Sequence, residues 1–108
     1  MNVSITFRHM DASEAIKKHA TDKLGKLQKY LRAPLDAHMT FSLERHLHCV
    51  DVTFNAGAEH HQARAEEADM YASIDVVVDK IHRQINRTKE QHQNHRRGPA
   101  PENGAGEP

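Results

Sequence analysis

The stretch Asp69-Met70-Tyr71-Ala72-Ser73-Ile74-Asp75-Val76-Val77-Val78-Asp79-Lys80-Ile81-His82-Arg83-Gln84-Ile85-Asn86-Arg87 is the longest periodic segment of the chain. Met70, Ile74, Val77, Val78, Ile81 and Ile85 recur at steps of three and four. That spacing gathers them on one face of a helix and leaves the other face polar. Asp75 and Asp79 come early on the polar face, while Lys80, Arg83 and Arg87 come late. At roughly 100° per residue those three basic side chains fall within an arc of about 60°. The segment therefore has a stripe to bury and a basic rail beside it. Asp69 is placed to cap the helix, and the acidic residues before it suit the positive end of the helix dipole.

Working outward, the upstream residues 36–66 alternate with period two. Ala37, Met39, Phe41 and Leu43 point one way, and His38, Thr40, Ser42 and Glu44 the other. Val50, Val52 and Phe54 form a second alternation, and His61, Ala63 and Ala65 a short third one. The bend of the first hairpin falls near Arg45–His48, which lacks Asn-Gly turn chemistry. Asn55-Ala56-Gly57-Ala58-Glu59 is a stronger turn signal. At the start of the chain, Val3, Ile5 and Phe7 alternate with Asn2, Ser4, Thr6 and Arg8, which predicts another half-buried strand. A helix follows from about Ser13 to Leu31, with Ile16, Ala20, Leu24, Leu27 and Leu31 as its stripe. Asp11 or Ser13 is its cap, and Pro34 forces the exit. Gly25 inside it costs about 1 kcal/mol relative to alanine and suits close packing against a neighbour. Lys18, Lys23, Lys26 and Lys29 spread along one flank.

The expected order is thus β-α-β-β-β-α, an α+β fold. Its economical packing is a four-stranded sheet with both helices on one face. The other face is wet and carries Ser4, Thr6, Arg8, His38, Thr40, Ser42, Asp51, Thr53 and Arg64. A chain of 108 residues has room for one domain. That domain ends at about residue 95. Residues 96–108 make a tail, and Gly98–Pro108, without periodicity or bulky apolar side chains, is expected to be disordered.

Fifteen basic and fifteen acidic residues give a formal net charge of zero, but the charge is segregated. Residues 14–32 carry six Lys/Arg and two Asp/Glu, residues 80–97 six and one, and residues 36–79 two and nine. The field is set by that separation more than by its sum. No apolar run reaches the roughly 18 residues that span a membrane. Arg8 and His9 interrupt any signal-peptide core. The single cysteine, Cys49, rules out an internal disulfide. These features lead us to expect a soluble cytoplasmic protein.

Ten histidines raise the question of metal. His46-x-His48, Cys49, His60-His61, His92 and His95 are the candidates, but His60 and His61 point to opposite faces of a strand, and neither HExxH nor paired CxxC is present. No metal site and no cofactor are expected. A Gly-rich phosphate loop and a nucleophile elbow are both lacking, and the carboxylates Glu66, Glu67, Asp69, Asp75 and Asp79 read as solvated, so catalysis is not expected. Lysines on a helix are ordinarily just a solvated face. Here two basic flanks share one side of a sheet while acid is concentrated between them, which favours phosphate contacts with folded RNA. The open sheet face, with hydroxyls and histidines, does not resemble an aromatic base-stacking platform.

Three stretches carry a resemblance to the short bacterial ribosome hibernation factors, the family of hibernation-promoting factor and protein Y. They are Met1-Asn2-Val3-Ser4-Ile5-Thr6-x-Arg8-His9, Leu24-Gly25-Lys26-Leu27-Gln28-Lys29-Tyr30, and Glu66-x-x-Asp69-Met70-Tyr71-Ala72-Ser73-Ile74-Asp75 with Val78-Asp79-Lys80-Ile81-x-Arg83-Gln84-Ile85. The resemblance covers about residues 1–95, which it makes the ribosome-binding domain. It implies a fold similar to double-stranded RNA-binding domains. It further implies binding to 16S rRNA at the decoding region of the small subunit, in the 70S ribosome. Such binding blocks mRNA and tRNA and inhibits translation in stationary phase or stress. The matching rRNA-binding positions are Lys23, Lys26 and Lys29 on the first helix and Lys80, Arg83, Arg87 and Lys89 on the second, with Arg8 and Arg45 as further candidates. The protein is expected to be a monomer when free, with no DNA or membrane partner. The acidic middle is expected to face away from the basic ridges. A second reading is a stress regulator that binds protein or small structured RNAs away from the decoding site.

Overall fold

In the computed structural model, residues 1–96 are described, with side chains through Glu90. Of the expected tail, residues 96–108, Arg96 closes the last helix and residues 97–108 lie outside the described residues. Strand β1 (Asn2–Arg8) leads to helix α1 (Glu14–Gly25), which passes directly into a 3-10 segment (Lys26–Tyr30). Strands β2 (Leu35–Glu44), β3 (Leu47–Ala56) and β4 (Glu59–Glu67) follow, then the long helix α2 (Met70–Arg96). The four strands form one mixed sheet in the order β1-β2-β3-β4. β1 runs parallel to β2, with Val3 beside Ala37 and Phe7 beside Phe41. The other pairs are antiparallel hairpins, with Glu44 opposite Leu47 and Ala56 opposite Glu59.

Period-two alternation decides which face is buried. Ala37, Met39 and Phe41 of β2, Val50, Val52 and Phe54 of β3, and Ala65 of β4 meet Ala20, Leu24 and Leu27 from the first helical stretch. Met70, Ile74, Val77, Val78, Ile81 and Ile85 of α2 complete the core. α2 packs across β3 and β4, and α1 packs beside α2. Both helices thus cover one face, as the two stripes require. Ser13 is the cap of α1, its Oγ accepting from the Ile16 amide at 3.2 Å. Asp69 caps α2, its Oδ2 accepting from the Ala72 amide at 3.0 Å. Ser73, fully buried, donates to the His48 carbonyl at 2.6 Å and so pins the start of α2 to β3.

Several details differ from the sequence reading. The first helix is not α-helical to Leu31. It tightens after Gly25, where the Met1 sulfur would lie 3.2 Å from an added Cβ, and Leu31 is already extended. The steps of three among Leu24, Leu27 and Tyr30 suit the 3-10 repeat as well as the α repeat. β4 is nine residues long rather than short. α2 continues past Gln93 to Arg96. Ser42, placed on the wet face, is buried, and Leu43, placed in the core, is 37% exposed near the hairpin end. Both hairpins close with two-residue loops whose first residue has positive φ, Arg45 at 60° and Gly57 at 62°. Glycine adopts that conformation freely; at Arg45 it is strained.

One outer edge of the sheet is β4. There α2 reaches over and closes it: Lys80 Nζ donates to the Arg64 carbonyl at 2.7 Å and Gln84 Nε2 to the Gln62 carbonyl at 2.8 Å.

Candidate nucleic-acid interface

The helices run along the sheet, so basic residues distribute by end as well as by face. Met1 rests on Gly25, and Gln28 Oε1 accepts from the Leu35 amide at 2.8 Å. The 3-10 segment therefore sits where β1 and β2 begin. His61, early in β4, meets Gln84, so the later part of α2 shares that end. Lys26, Lys29 and Lys89 belong there. Arg8 and Arg45 sit at the opposite end, since Arg8 lies beside Ser42 and Arg45 follows Glu44. Seven strand residues separate the ends by about 20 Å.

The change from α to 3-10 geometry matters for the lysines. Residues three apart eclipse one another in a 3-10 helix, whereas they are about 60° out of line in an α-helix. Lys26 and Lys29, both exposed, therefore project along one line instead of spreading around the flank. The seam between the helices is held by polar contacts. Asp75 of α2 accepts from His19 at 3.0 Å and lies 3.7 Å from the Lys23 ammonium. Further along, Tyr30 stacks on His82, with centroids 4.6 Å apart and planes 29° from parallel. Lys29 Nζ and Lys89 Nζ lie 5.3 and 5.6 Å from the centre of that same tyrosine ring.

The nine basic candidates thus divide. Arg8, Lys26, Lys29, Arg45, Arg87 and Lys89 are exposed, with no carboxylate within 4.0 Å among the described residues. Lys23 is paired with Asp75 and Arg83 with Asp79, the latter at 2.6 Å. Lys80 is turned toward the β4 edge by its bond to Arg64. The rail Lys80-Arg83-Arg87 is real as a helical arc, but only Arg87 presents its charge without one of these contacts. Tyr30 and His82 are not among the candidates that the sequence offers. Their meeting is a tertiary contact between segments far apart in the chain, which periodicity cannot reveal.

The opposite sheet face has a different character. Arg64 bridges Glu66, at 2.7 Å, and Asp51, and those hydrogen bonds, to Glu66 first and then Asp51, hold its guanidinium further above its already high range. Asn2 donates to Asp36 on that face as well. Asp36, Asp51 and Glu66 are therefore turned away from the helices, while Glu59, paired with His61, and Asp75 and Asp79 remain on the helical side. Among the described residues, no three His, Cys, Asp or Glu are arranged to hold a metal ion, and no helix is long and apolar enough to cross a membrane.

The sequence profile of the family described as Sigma 54 modulation protein / S30EA ribosomal protein matches residues 3–93. The chain belongs to this family. This bears out the resemblance to ribosome hibernation promoting factors and protein Y. Among its S30EA relatives, the ribosome hibernation promoting factor of Salmonella typhimurium is 32% identical over 95 residues, 88% of this chain and 100% of the Salmonella protein. That of Escherichia coli K12 is 30% identical over the same extent. Among solved S30EA structures, the Thermus thermophilus Protein Y N-terminal domain has a TM-score of 0.77 at 27% identity, covering 82% of this chain and 99% of that one. A ribosomal subunit interface protein from Coxiella burnetii, at 22% identity and a TM-score of 0.74, shares the fold.

Proposed function

We propose that this S30EA protein is a ribosome hibernation factor. It binds 16S rRNA at the decoding region of the small subunit, excludes mRNA and tRNA, and silences 70S ribosomes in stationary phase or stress. The observation that carries the reading is the convergence of unneutralised lysines from both helices at one seam, Lys29 and Lys89 on the Tyr30 ring with Lys26 in line. Family membership adds that the Salmonella and E. coli relatives bear the name ribosome hibernation promoting factor. The binding unit is the folded body, residues 1–95, acting as a monomer in the cytoplasm. Its contacts come from the unpaired Lys26, Lys29, Arg87 and Lys89, joined by Lys23, Lys80 and Arg83 as phosphate displaces Asp75, the Arg64 carbonyl and Asp79 from them, with Arg8 and Arg45 reaching a second strand about 20 Å away.

The mechanism is steric. Phosphate contacts fix position and register without reading sequence, and the helical layer fills space that mRNA and tRNA require. Affinity follows counter-ion release: six phosphate contacts cost about a thousandfold in affinity between 50 and 200 mM salt. Sedimenting the protein with purified 70S ribosomes tests this. Co-migration at low salt, lost at high salt and displaced by mRNA with initiator tRNA, is expected. Absence of co-migration at low salt refutes the reading. Co-migration that mRNA and tRNA do not displace refutes the decoding-region part of it.

A further inference from the structure

Tyr30 is half-buried at the end of the 3-10 segment, where that segment meets α2. Stacking on His82 fixes the plane of its ring. Two ammonium groups, one from each helical element, gather on that ring, so they lie within the sum of 5.3 and 5.6 Å of each other. Two like charges on long flexible stems ordinarily diverge into water. The negative face of an aromatic ring attracts both. Other cations on the same side are oriented by partners that spend their charge or direct it elsewhere: Lys23 by Asp75, Arg83 by Asp79, Lys80 by the Arg64 carbonyl. The tyrosine orients its two lysines and neutralises neither.

We propose that the Tyr30–His82 stack is a positioning element that holds Lys29 and Lys89 as a two-pronged receptor for adjacent phosphate groups of an RNA strand, at the seam between the helices. The proposal rests on reading the helical side as the RNA-binding surface, and adds what sets its geometry. A phosphate held there is gripped by both helical elements at once. Loss of the ring leaves the net charge unchanged and both ammonium groups present but undirected. The site therefore loses affinity without losing charge.

The test uses the full chain, with inorganic pyrophosphate as a two-phosphate probe and NMR of the lysine side chains as the readout. In the wild type, the Cε protons of Lys29 and Lys89 are shifted upfield by the ring, and pyrophosphate moves both with a single dissociation constant. Tyr30→Phe keeps both signatures. Tyr30→Leu loses the ring shifts and binds pyrophosphate about five- to thirtyfold more weakly, the equivalent of two exposed cation–ring contacts. Lys29→Ala and Lys89→Ala are non-additive in the wild type and additive in Tyr30→Leu. A folded Tyr30→Leu variant that binds like the wild type, or separate dissociation constants at the two lysines, overturns the proposal. Should Tyr30→Leu fail to fold, His82→Ala carries the test: it unstacks the ring and is expected to weaken pyrophosphate severalfold, and no change overturns the proposal. The same variants are then sedimented with 70S ribosomes. Pyrophosphate capture without 70S binding refutes hibernation and leaves the receptor standing. Equal 70S binding by Tyr30→Leu and Tyr30→Phe refutes the receptor and leaves hibernation standing.

Discussion

Replacing Arg45 with glycine separates stability from binding, because the two respond with opposite sign. Arg45 is the first residue of the β2–β3 loop and has φ of 60°. A non-glycine residue in that region costs about 1–2 kcal/mol. Glycine removes the cost but loses more backbone entropy on folding, about 0.5–1 kcal/mol. The side chain is exposed, with no carboxylate partner among the described residues, so little else is lost. The net effect is a gain of about 0.5–1 kcal/mol, which for a domain of this size raises Tm by about 3–6 °C. Binding moves the other way. If Arg45 meets a phosphate, its removal lowers the slope of log affinity against log salt by about 0.7–0.9. Thermal unfolding followed by circular dichroism gives the first quantity, and 70S co-sedimentation across a salt series gives the second. A fall in Tm would refute the strain argument. A rise in Tm with an unchanged salt slope would remove Arg45 from the interface and leave the turn argument intact.

Further predictions follow from the same contacts. Lys26→Ala and Arg87→Ala each reduce the salt slope of 70S binding by about 0.7–0.9, whereas Arg64→Ala, on the far sheet face, leaves it unchanged; salt-series sedimentation compares the three. Ser73→Ala strips the His48 carbonyl of its hydroxyl donor and costs about 1–3 kcal/mol, read by urea denaturation, with faster amide exchange near the β2–β3 loop. Phe54→Ala empties a fully buried site and costs about 3–5 kcal/mol, a large part of the stability of so small a domain, visible as a lowered urea midpoint. Gly57→Ala places a methyl group 3.1 Å from the Ala33 Cβ at a φ of 62° and lowers Tm by several degrees, an outcome that a thermal melt checks directly.

Much of the fold could be read before any coordinates, for a physical reason. Val50, Val52 and Phe54 announce a strand, and Ile74, Val77, Val78, Ile81 and Ile85 a helix, because burial acts on each element at that element's own period. Ser13 and Asp69 were readable as caps because a cap is a local contact. What failed was non-local. Ser42 is buried opposite Cys49 in the β2–β3 ladder, where alternation assigns Ser42 a face but does not say what covers it. The switch at Gly25 was hidden because steps of three among Leu24, Leu27 and Tyr30 satisfy both helical repeats. Of the candidate site, the charged residue types were visible, but their availability was not. Lys80 and Arg87 lie within one arc of the wheel, yet only the packed structure turns Lys80 toward a strand edge.

That strand edge has a consequence for the protein as a solute. A terminal strand with free carbonyls is a template on which a second copy can lay its own backbone, and a long exposed β4 would invite it. Here two of those carbonyls, on Gln62 and Arg64, are already taken by side chains of α2. A strand arriving at that edge would first have to displace an ammonium and an amide and find room beneath a 27-residue helix. The arrangement resists edge-to-edge growth along β4 without adding a residue for the purpose. The molecule is thereby guarded against self-association at that edge by its own tertiary contacts.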